Sequence, residues 1–233
     1  PDFLILKQIL FYGAPGGMET CIKSSVSTTV IILFSYLGEV SLTASNIAMT
    51  INTIAFVPLM GLMDGSSVIT ARFIGMDRKD IAAMISGHAF RMLAIYMTIF
   101  VLIYFFSPGI MFAIFASSKK TGISLDKVLP LTRIILACMA VQNYFDAWRY
   151  MTLGSLRGAG DTKMAMLLSL VTSAGIQLPM GYLSVKVFHL PIWAAWFCSI
   201  TFYVIIDSIV IFKRKRTGAW RNIVIIDKEK VPA

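Results

Sequence analysis

Glu19, Lys23, Asp146 and Arg149 are charged residues within stretches that are otherwise apolar enough to cross a membrane. A charge at membrane depth costs about 3 kcal/mol or more, so such residues face a protein interior or a water-filled cavity and mark ion or substrate pathways. A carboxylate in such a place can bind a cation or exchange a proton. The sequence therefore predicts a cation- or proton-binding site at these positions.

Asp146 belongs to a polar stripe on a predicted helix. Gln142 precedes it by four residues and Arg149 follows it by three, which places the three side chains on one helix face. A carboxylate and an amide oxygen are hard ligands that suit Na⁺. Two interpretations stay open: an ion or proton site that contains Asp146 and Gln142, or a permanent salt bridge between Asp146 and Arg149.

Glu19 and Lys23 form a second charged group, on the first predicted helix. They are four residues apart and share a helix face, and Pro15 precedes them among glycines. The two residues either neutralise each other in the bundle interior, or Glu19 forms part of a cation or proton site in which Lys23 is an internal competitor. The sequence alone leaves both interpretations open.

Weaker polar positions could line a substrate cavity or only hydrogen-bond neighbouring helices. They are Asn46, Asn52, Tyr144 and Gln177. Gln177 with Pro179 also predicts an interruption of the regular helix. Asp207 is expected to pair with the nearby Lys213. The three cysteines, Cys21, Cys138 and Cys198, lie in apolar runs without metal-ligand or disulfide spacing, so no metal site is predicted.

Composition requires a lipid environment for the elements that carry these residues. Of the 233 residues, 57% are hydrophobic and 14% charged, whereas a soluble domain carries about 25% charged residues. The apolar runs are continuous, unlike the alternating strands of a membrane β-barrel. We predict an all-α, polytopic membrane protein with six transmembrane helices, at 9–37, 42–69, 81–106, 128–153, 164–188 and 191–212, and a short interfacial helix around MFAIF, 111–115.

Basic residues predict the orientation of these helices. Most Lys and Arg residues lie in the terminal segments and in the even-numbered connections, so both termini are expected to be cytoplasmic and the protein to be multi-pass in the plasma (inner) membrane. Membrane orientation therefore accounts for the net charge of +9, and no nucleic-acid partner is predicted. The KRKR cluster at 213–216 is interpreted as a stop-transfer anchor, with an anionic-lipid site as the alternative.

One enzyme class can be tested directly. YFD at 144–146 and GAGD at 158–161 are superficially similar to the motifs of intramembrane aspartyl proteases. A carboxyl dyad that shares a proton needs its two groups about 3 Å apart. Asp146 and Asp161 are 15 residues apart, which is about 22 Å along a continuous helix. We predict that the chain is not an enzyme.

Five segments form more specific motifs: DAWRYMTLGSLRGAGDTK at 146–163, GAPGGMET at 13–20, LGEVSLTASNIAMTI at 37–51, IGMDRKD at 74–80 and TGAW at 217–220. The first resembles the tenth helix and following loop of multidrug and toxic compound extrusion (MATE) transporters, where a G-x-LRG-x-x-DT pattern follows the helix. The next three resemble the start of the seventh helix, the opening of the eighth and the turn before the ninth. TGAW resembles a GxW after the last helix.

The resemblance implies one lobe of a twelve-helix, two-lobe exporter. Residues 1–212 would form the C-terminal lobe and 213–233 a basic cytoplasmic tail, with the N-terminal lobe as partner outside this chain. Such exporters move amphipathic, mostly cationic small molecules across the bilayer against entry of H⁺ or Na⁺, without another cofactor. The rivals are a lipid-linked glycan flippase of the same superfamily and a non-transporting six-helix scaffold.

The family pattern also implies roles for particular residues. Asp146 lies eight residues before the first glycine of GSLRG, where members with a cation site in this lobe carry an aspartate. The position eight residues after Pro15, where some members carry an acid, is Lys23, and Glu19 stands at the other acidic position, four after the proline. Lys23 departs from the pattern and favours H⁺ coupling, or coupling through the other lobe, over a Na⁺ site.

Overall fold

The computed structural model describes residues 3–106, 125–218 and 220. These residues form six long helices and no strand. The helices are α1 (Phe3–Ser35), α2 (Glu39–Gly75), α3 (Lys79–Phe106), α4 (Leu125–Gly158), α5 (Thr162–Val187) and α6 (Ile192–Arg216). The predicted all-α class is confirmed. The predicted interfacial helix at MFAIF lies outside the described residues.

Five of these helices, α2 to α6, are long and apolar enough to cross a membrane. The remaining helix, α1, has 33 residues. At 1.5 Å per residue it is about 50 Å long, which exceeds the roughly 30 Å of a hydrocarbon core. It also carries Glu19 and Lys23 among its apolar residues. The predicted six-helix arrangement therefore agrees with the fold.

The helices run past several of the predicted ends. α4 continues through the LRG motif and stops at Gly158, because Gly160 adopts a φ of 82° that only glycine accepts readily. The N–H of Gly160 donates to the carbonyl of Arg157 (3.0 Å), and the N–H of Asp161 donates to that of Leu156 (3.0 Å). This pattern is a Schellman motif, which satisfies the last carbonyls of α4.

Close approach of α4 to α2 depends on two glycines. A Cβ on Gly154 would lie 2.6 Å from the carbonyl oxygen of Met63, and a Cβ on Gly158 would overlap the carbonyl oxygen of Ser67. The GxxxG spacing of Gly154 and Gly158 thus has a packing role here. Gly13–Gly17 and Gly61–Gly65 show the same spacing, yet a Cβ at any of those four positions meets nothing within 4 Å among the described residues.

Two apolar clusters fill the bundle at different depths. One contains Phe34 and Trp196, whose ring centroids are 5.7 Å apart, together with residues of α4 from Val128 to Ala140. The other contains residues of α4 from Ala147 onward. Gln142, Asn143 and Asp146 fall between the two clusters and are all buried. The interior therefore has a polar layer at mid-helix.

Three π-helical turns interrupt α5 and α6, at Ser173–Gln177, Leu183–Val187 and Phe197–Thr201. In each turn an N–H donates to the carbonyl five residues earlier, as Phe188 does to Leu183 (2.9 Å). The first turn ends at Gln177, two residues before Pro179, so the predicted interruption is confirmed. π turns inside α-helices are frequent at functional sites.

We predict that Gly158→Ala lowers the stability of the natural full-length protein by about 1–3 kcal/mol, because the added methyl group overpacks the α2–α4 contact. Thermal unfolding in detergent measures the change. Gly75→Ala is the matched control, since Gly75 is exposed and a Cβ there meets nothing within 4 Å. Equal unfolding temperatures for the two variants would contradict the packing role of Gly158.

Candidate functional site

A cavity of about 410 Å³ opens between α1, α2, α4, α5 and α6. One stripe of α4 supplies its charged wall, because residues at i, i+4, i+7, i+11 and i+15 share a helix face. The members of that stripe are Gln142, Asp146, Arg149, Leu153 and Arg157. The predicted stripe of Gln142, Asp146 and Arg149 is therefore real, and it continues for two more turns.

Asp146 sits at the centre of this wall and is 1% exposed. Its Oδ1 accepts hydrogen bonds from the Arg149 guanidinium, at 2.6 Å from Nη2 and 3.1 Å from Nε. Its Oδ2 accepts one from Gln142 Nε2 at 3.1 Å. The structure thus contains a salt bridge between Asp146 and Arg149, and binding of an ion or proton at Asp146 stays a prediction.

Arg149 also binds a second carboxylate, on α6. Its Nη1 donates to Asp207 Oδ2 at 2.9 Å. Thr172 of α5 donates from its hydroxyl to the other oxygen of Asp207 at 2.6 Å. The guanidinium carbon lies 4.4 Å from the centroid of the Tyr150 ring, a cation–π contact. Arg149 therefore links α4 to α6, and Asp207 extends the link to α5.

The expectation that Asp207 pairs with Lys213 is wrong. Six residues on an α-helix correspond to about 120° around the axis, so the two side chains point in different directions. Lys213 is exposed, whereas Asp207 is fully buried. Asp207 is four residues after Tyr203, so the two residues share one face of α6. Tyr203 lines the cavity, and this spacing therefore indicates that Asp207 faces the bundle interior.

Glu19 and Lys23 of α1 complete the charged set. Lys23 Nζ donates to Glu19 Oε1 at 2.9 Å and lies 3.8 Å from Asp207 Oδ2. The other oxygen of Glu19 accepts from Arg157 Nη2 at 2.8 Å. Lys23 therefore connects α1 to α6, and Glu19 connects α1 to the end of α4. The contact of Arg157 with Glu19 was not predicted from the sequence, because Arg157 lies beyond the predicted end of its helix at residue 153.

Together these side chains form one continuous chain of alternating charges, which we call the ion-pair chain. In order it contains Gln142, Asp146, Arg149, Asp207, Lys23, Glu19 and Arg157. Three carboxylates are matched by three cations, so its formal charge is zero. The two charged groups predicted from the sequence are therefore joined, and Glu19 and Lys23 connect to Asp146 through Asp207 and Arg149.

The predicted substrate-cavity residues separate into two groups. Asn52 and Gln177 line the cavity, and Asn52 Oδ1 accepts a hydrogen bond from Asn143 Nδ2 at 2.9 Å. Asn46 instead lines a separate groove along α2. The Tyr144 hydroxyl lies 2.9 Å from that of Thr98 on α3, and Tyr144 does not line the cavity. The positions of Asn46 and Tyr144 thus give no support to their predicted role in this cavity.

One polar atom of the site has no partner among the described residues. Gln142 Oε1 is buried and accepts no hydrogen bond, although Gln142 Nε2 donates to Asp146. Buried polar atoms are usually paired, so an unpaired one at a cavity wall suits a ligand atom or water. Within the described residues no cluster of three or more His, Cys, Asp or Glu residues could hold a metal ion.

A family model called MatE matches residues 15–183. The chain belongs to the MatE family. This membership confirms the resemblance seen in the LRGAGDT segment, and it identifies the chain as part of a transporter family rather than an enzyme. A transporter needs a polar cavity inside an apolar helix bundle, which is the arrangement found here.

Curated relatives in the MatE family are named multidrug resistance proteins. The Probable multidrug resistance protein NorM of Thermotoga maritima is 22% identical over 236 residues, which cover 99% of this chain and 48% of the relative. The NorM of Acinetobacter baylyi is 27% identical over 201 residues, covering 86% of this chain and 43% of the relative. The chain thus spans about half the length of the curated relatives it matches.

Solved structures support the same fold. A structure described as "Crystal structure of MATE in the bent conformation" matches with a TM-score of 0.77 at 20% identity and covers 97% of this chain and 49% of its own. A MOP superfamily transporter from Pyrococcus furiosus, whose description notes a "reverse polarity of binding pocket", matches with a TM-score of 0.72 at 20% identity, over 97% of this chain and 48% of its own. The coverage agrees with one lobe of a two-lobe MatE protein.

We predict that Asp207→Asn destabilises the natural full-length protein by about 3–5 kcal/mol, because it leaves the buried ion-pair chain with one uncompensated positive charge. Thermal unfolding in detergent is the measurement. Lys23→Gln added to Asp207→Asn restores a neutral ion-pair chain, and we expect it to recover part of the loss.

The matched control for this experiment is Asp80→Asn. Asp80 also pairs with an arginine, but its side chain is 70% exposed and its distance to Arg78 Nε is 3.7 Å. Surface pairs of this kind contribute about 0–1 kcal/mol. The structural role of Asp207 is refuted if Asp207→Asn unfolds at the same temperature as Asp80→Asn.

Proposed function

We propose that this chain forms the C-terminal lobe of a cation-coupled efflux antiporter, which exports amphipathic, mostly cationic compounds in exchange for H⁺ or Na⁺. The lobe is paired with an N-terminal lobe, and both ends of the chain lie in the cytoplasm. Family membership and the multidrug resistance relatives support the transporter class. The observation that supports the coupling is the buried ion-pair chain, most of whose members line one wall of the cavity.

The ion-pair chain supplies a mechanism for coupling. It is neutral and joins α1, α4 and α6. A cation or proton on Glu19 weakens its contact with Arg157, which links α1 to α4. One on Asp146 weakens its hold on Arg149, the residue that links α4 to α6 through Asp207, so that linked helices can then move relative to one another. A bound ion shifts the equilibrium between two lobe arrangements only through such differential contacts.

The place where a coupling ion would bind best is between Asp146 and Gln142. Asp146 Oδ2 receives only the Gln142 amide, whereas Oδ1 receives both guanidinium contacts. Gln142 Oε1 is the unpaired buried acceptor close to it. Rotation of this amide would present two oxygens to a small hard cation, which is the ligand chemistry that Na⁺ requires.

The rest of the cavity suits large, varied and partly apolar substrates. Four methionines line it, Met49, Met60, Met63 and Met139, as do the aromatic residues Phe56, Tyr150, Trp196 and Tyr203. Methionine side chains are flexible and polarizable, so they adapt to ligands of different shape. Aromatic faces attract organic cations. These linings favour multidrug export over recognition of one polar substrate.

A lipid-linked glycan flippase is the second candidate function. Flippases of this superfamily are expected to carry an excess of basic residues in the central cavity. In the described part of this chain the basic residues of the cavity wall are all members of the ion-pair chain, in which Asp207, Asp146 and Glu19 balance them. This balance favours the antiporter, and the charge of the other lobe decides between the two functions.

We predict that Asp146→Asn lowers the rate of efflux at least about tenfold, because the amide can neither hold Arg149 as a salt bridge nor take up a coupling cation. The initial rate of export of a fluorescent organic cation from loaded cells expressing the natural full-length protein is the measurement. Asp80→Asn serves as the control, at matched expression. Unchanged efflux in Asp146→Asn would remove Asp146 from the mechanism.

Lys23→Gln tests whether the Lys23 ammonium occupies the place of a bound Na⁺. It leaves the ion-pair chain with one uncompensated negative charge, so an external monovalent cation can replace the lost ammonium. We expect Na⁺ to raise the unfolding temperature of Lys23→Gln more than that of the unmodified protein, because ligand binding stabilises the folded state. Choline chloride at equal ionic strength is the control. An equal response to the two salts would show that Lys23 does not occupy a Na⁺ site.

A further inference from the structure

A second pocket, of about 570 Å³, lies between α3, α4 and α6, apart from the cavity described above. We call it the α3–α6 pocket. Its polar and charged lining is Ser86, Thr152, Lys215, Arg216 and Thr217, and its aromatic lining is Phe90, Trp148, Phe212 and Trp220. No residue lines both this pocket and the ion-pair cavity.

The charge of the α3–α6 pocket is entirely positive among the described residues. Lys215 and Arg216 line it, and no described lining residue is acidic. Lys215 Nζ contacts the Ser86 hydroxyl and lies 3.4 Å from the carbonyl oxygen of Ala83, but it forms no ion pair with a described carboxylate. By contrast, the neighbouring Arg214 is neutralised by Asp161 at 2.8 Å. A half-buried ammonium without a carboxylate suits an anionic ligand.

The lining changes from charged to aromatic along the helix axes. Lys215 and Arg216 lie in the last turn of α6, and Lys215 Nζ contacts Ser86 of α3. Phe90 lies four residues further along α3 than Ser86, about 6 Å deeper along the axis. Phe212 lies three residues before Lys215, and its ring packs against that of Trp148, with ring centroids 4.7 Å apart. A ligand that fills this pocket therefore has a negative group at the helix ends and an apolar portion deeper in the bilayer.

The segment after α6 closes one side of the pocket. Gly218 has a φ of 71°, which turns the chain back toward the bundle. Trp220 is 5% exposed, and its indole N–H donates to the carbonyl of Lys215 at 3.1 Å. Thr217, Gly218 and Trp220 thus form a wall of the pocket, which gives these three residues of the motif a local structural role.

We propose that the α3–α6 pocket binds an anionic phospholipid, with the phosphate group at Lys215 and Arg216 and the start of an acyl chain against Phe90, Trp148 and Phe212. Free phosphate has the same chemistry as the headgroup, but it would leave the aromatic part of the pocket empty. An organic cation is disfavoured by the two positive side chains. Basic residues at the end of a membrane helix attract anionic lipid, by an amount that corresponds to about fivefold in affinity for each residue near the surface.

The test is lipid retention by the natural full-length protein, measured by native mass spectrometry after equilibration with phosphatidylglycerol or phosphatidylcholine. We expect selective retention of phosphatidylglycerol and a loss of about fivefold in its affinity in Lys215→Gln. Lys213→Gln is the matched control, because it removes the same charge from the same helix end but Lys213 does not line the pocket. We expect its retention to stay close to that of the unmodified protein.

Gly87→Leu provides a second variant that keeps both charges. A Cβ on Gly87 meets nothing within 4 Å and Gly87 lines the pocket, so we expect leucine at this position to occupy part of the pocket. Loss of phosphatidylglycerol in this variant supports the proposal. Equal retention of the two lipids, or equal effects of Lys215→Gln and Lys213→Gln, overturns it. Complete displacement of the lipid by excess inorganic phosphate would identify a free-phosphate site instead and also overturns it.

Discussion

The fold depends on the position of one buried guanidinium, that of Arg149. It is 5% exposed and lies between Asp146 of its own helix and Asp207 of α6. The cost of removing three such charges from water is several kcal/mol per ion, which only good geometry and further hydrogen bonds offset. Thr172, Gln142 and Lys23 supply those further contacts. The arrangement of α1, α5 and α6 around α4 therefore follows from the need to keep Arg149 and its two carboxylates paired.

Two parts of α4 contact the neighbouring helices in different ways. Toward the Gly158 end, glycines at 154 and 158 bring α4 into backbone contact with α2, and the Schellman turn fixes where the helix stops. At mid-helix the polar layer replaces apolar packing with directional bonds. Directional bonds have a few alternative arrangements, whereas a close-packed apolar interior resists continuous deformation. The polar layer is thus the part of the bundle best able to adopt a second arrangement.

Much of this organisation could be predicted from the sequence. Continuous apolar runs indicated the six helices, and the four-residue spacing of Glu19 and Lys23 correctly indicated a contact. Asp207 was assigned the wrong partner because nearness along the chain was used where helical angle decides the partner. Contacts across helices, such as that of Arg157 with Glu19, have a sequence separation of 138 residues and no local signal. Arg157 belongs to α4 only because the helix continues to Gly158, and the apolar pattern does not define where α4 ends.

The π turn at Ser173–Gln177 has a consequence for how sequences related to this one should differ. A turn closed by a bond to the fifth residue holds one residue more than an α-helical turn. Deletion of one residue there would restore an ordinary α-helix and leave both flanking segments in register with their neighbours. The same deletion at Asp146 would rotate half of α4 by about 100° and separate its charges. We therefore expect insertions and deletions within α5 to concentrate at the π turns. A gap of one residue there, in an alignment of related sequences, indicates that the helix remains continuous.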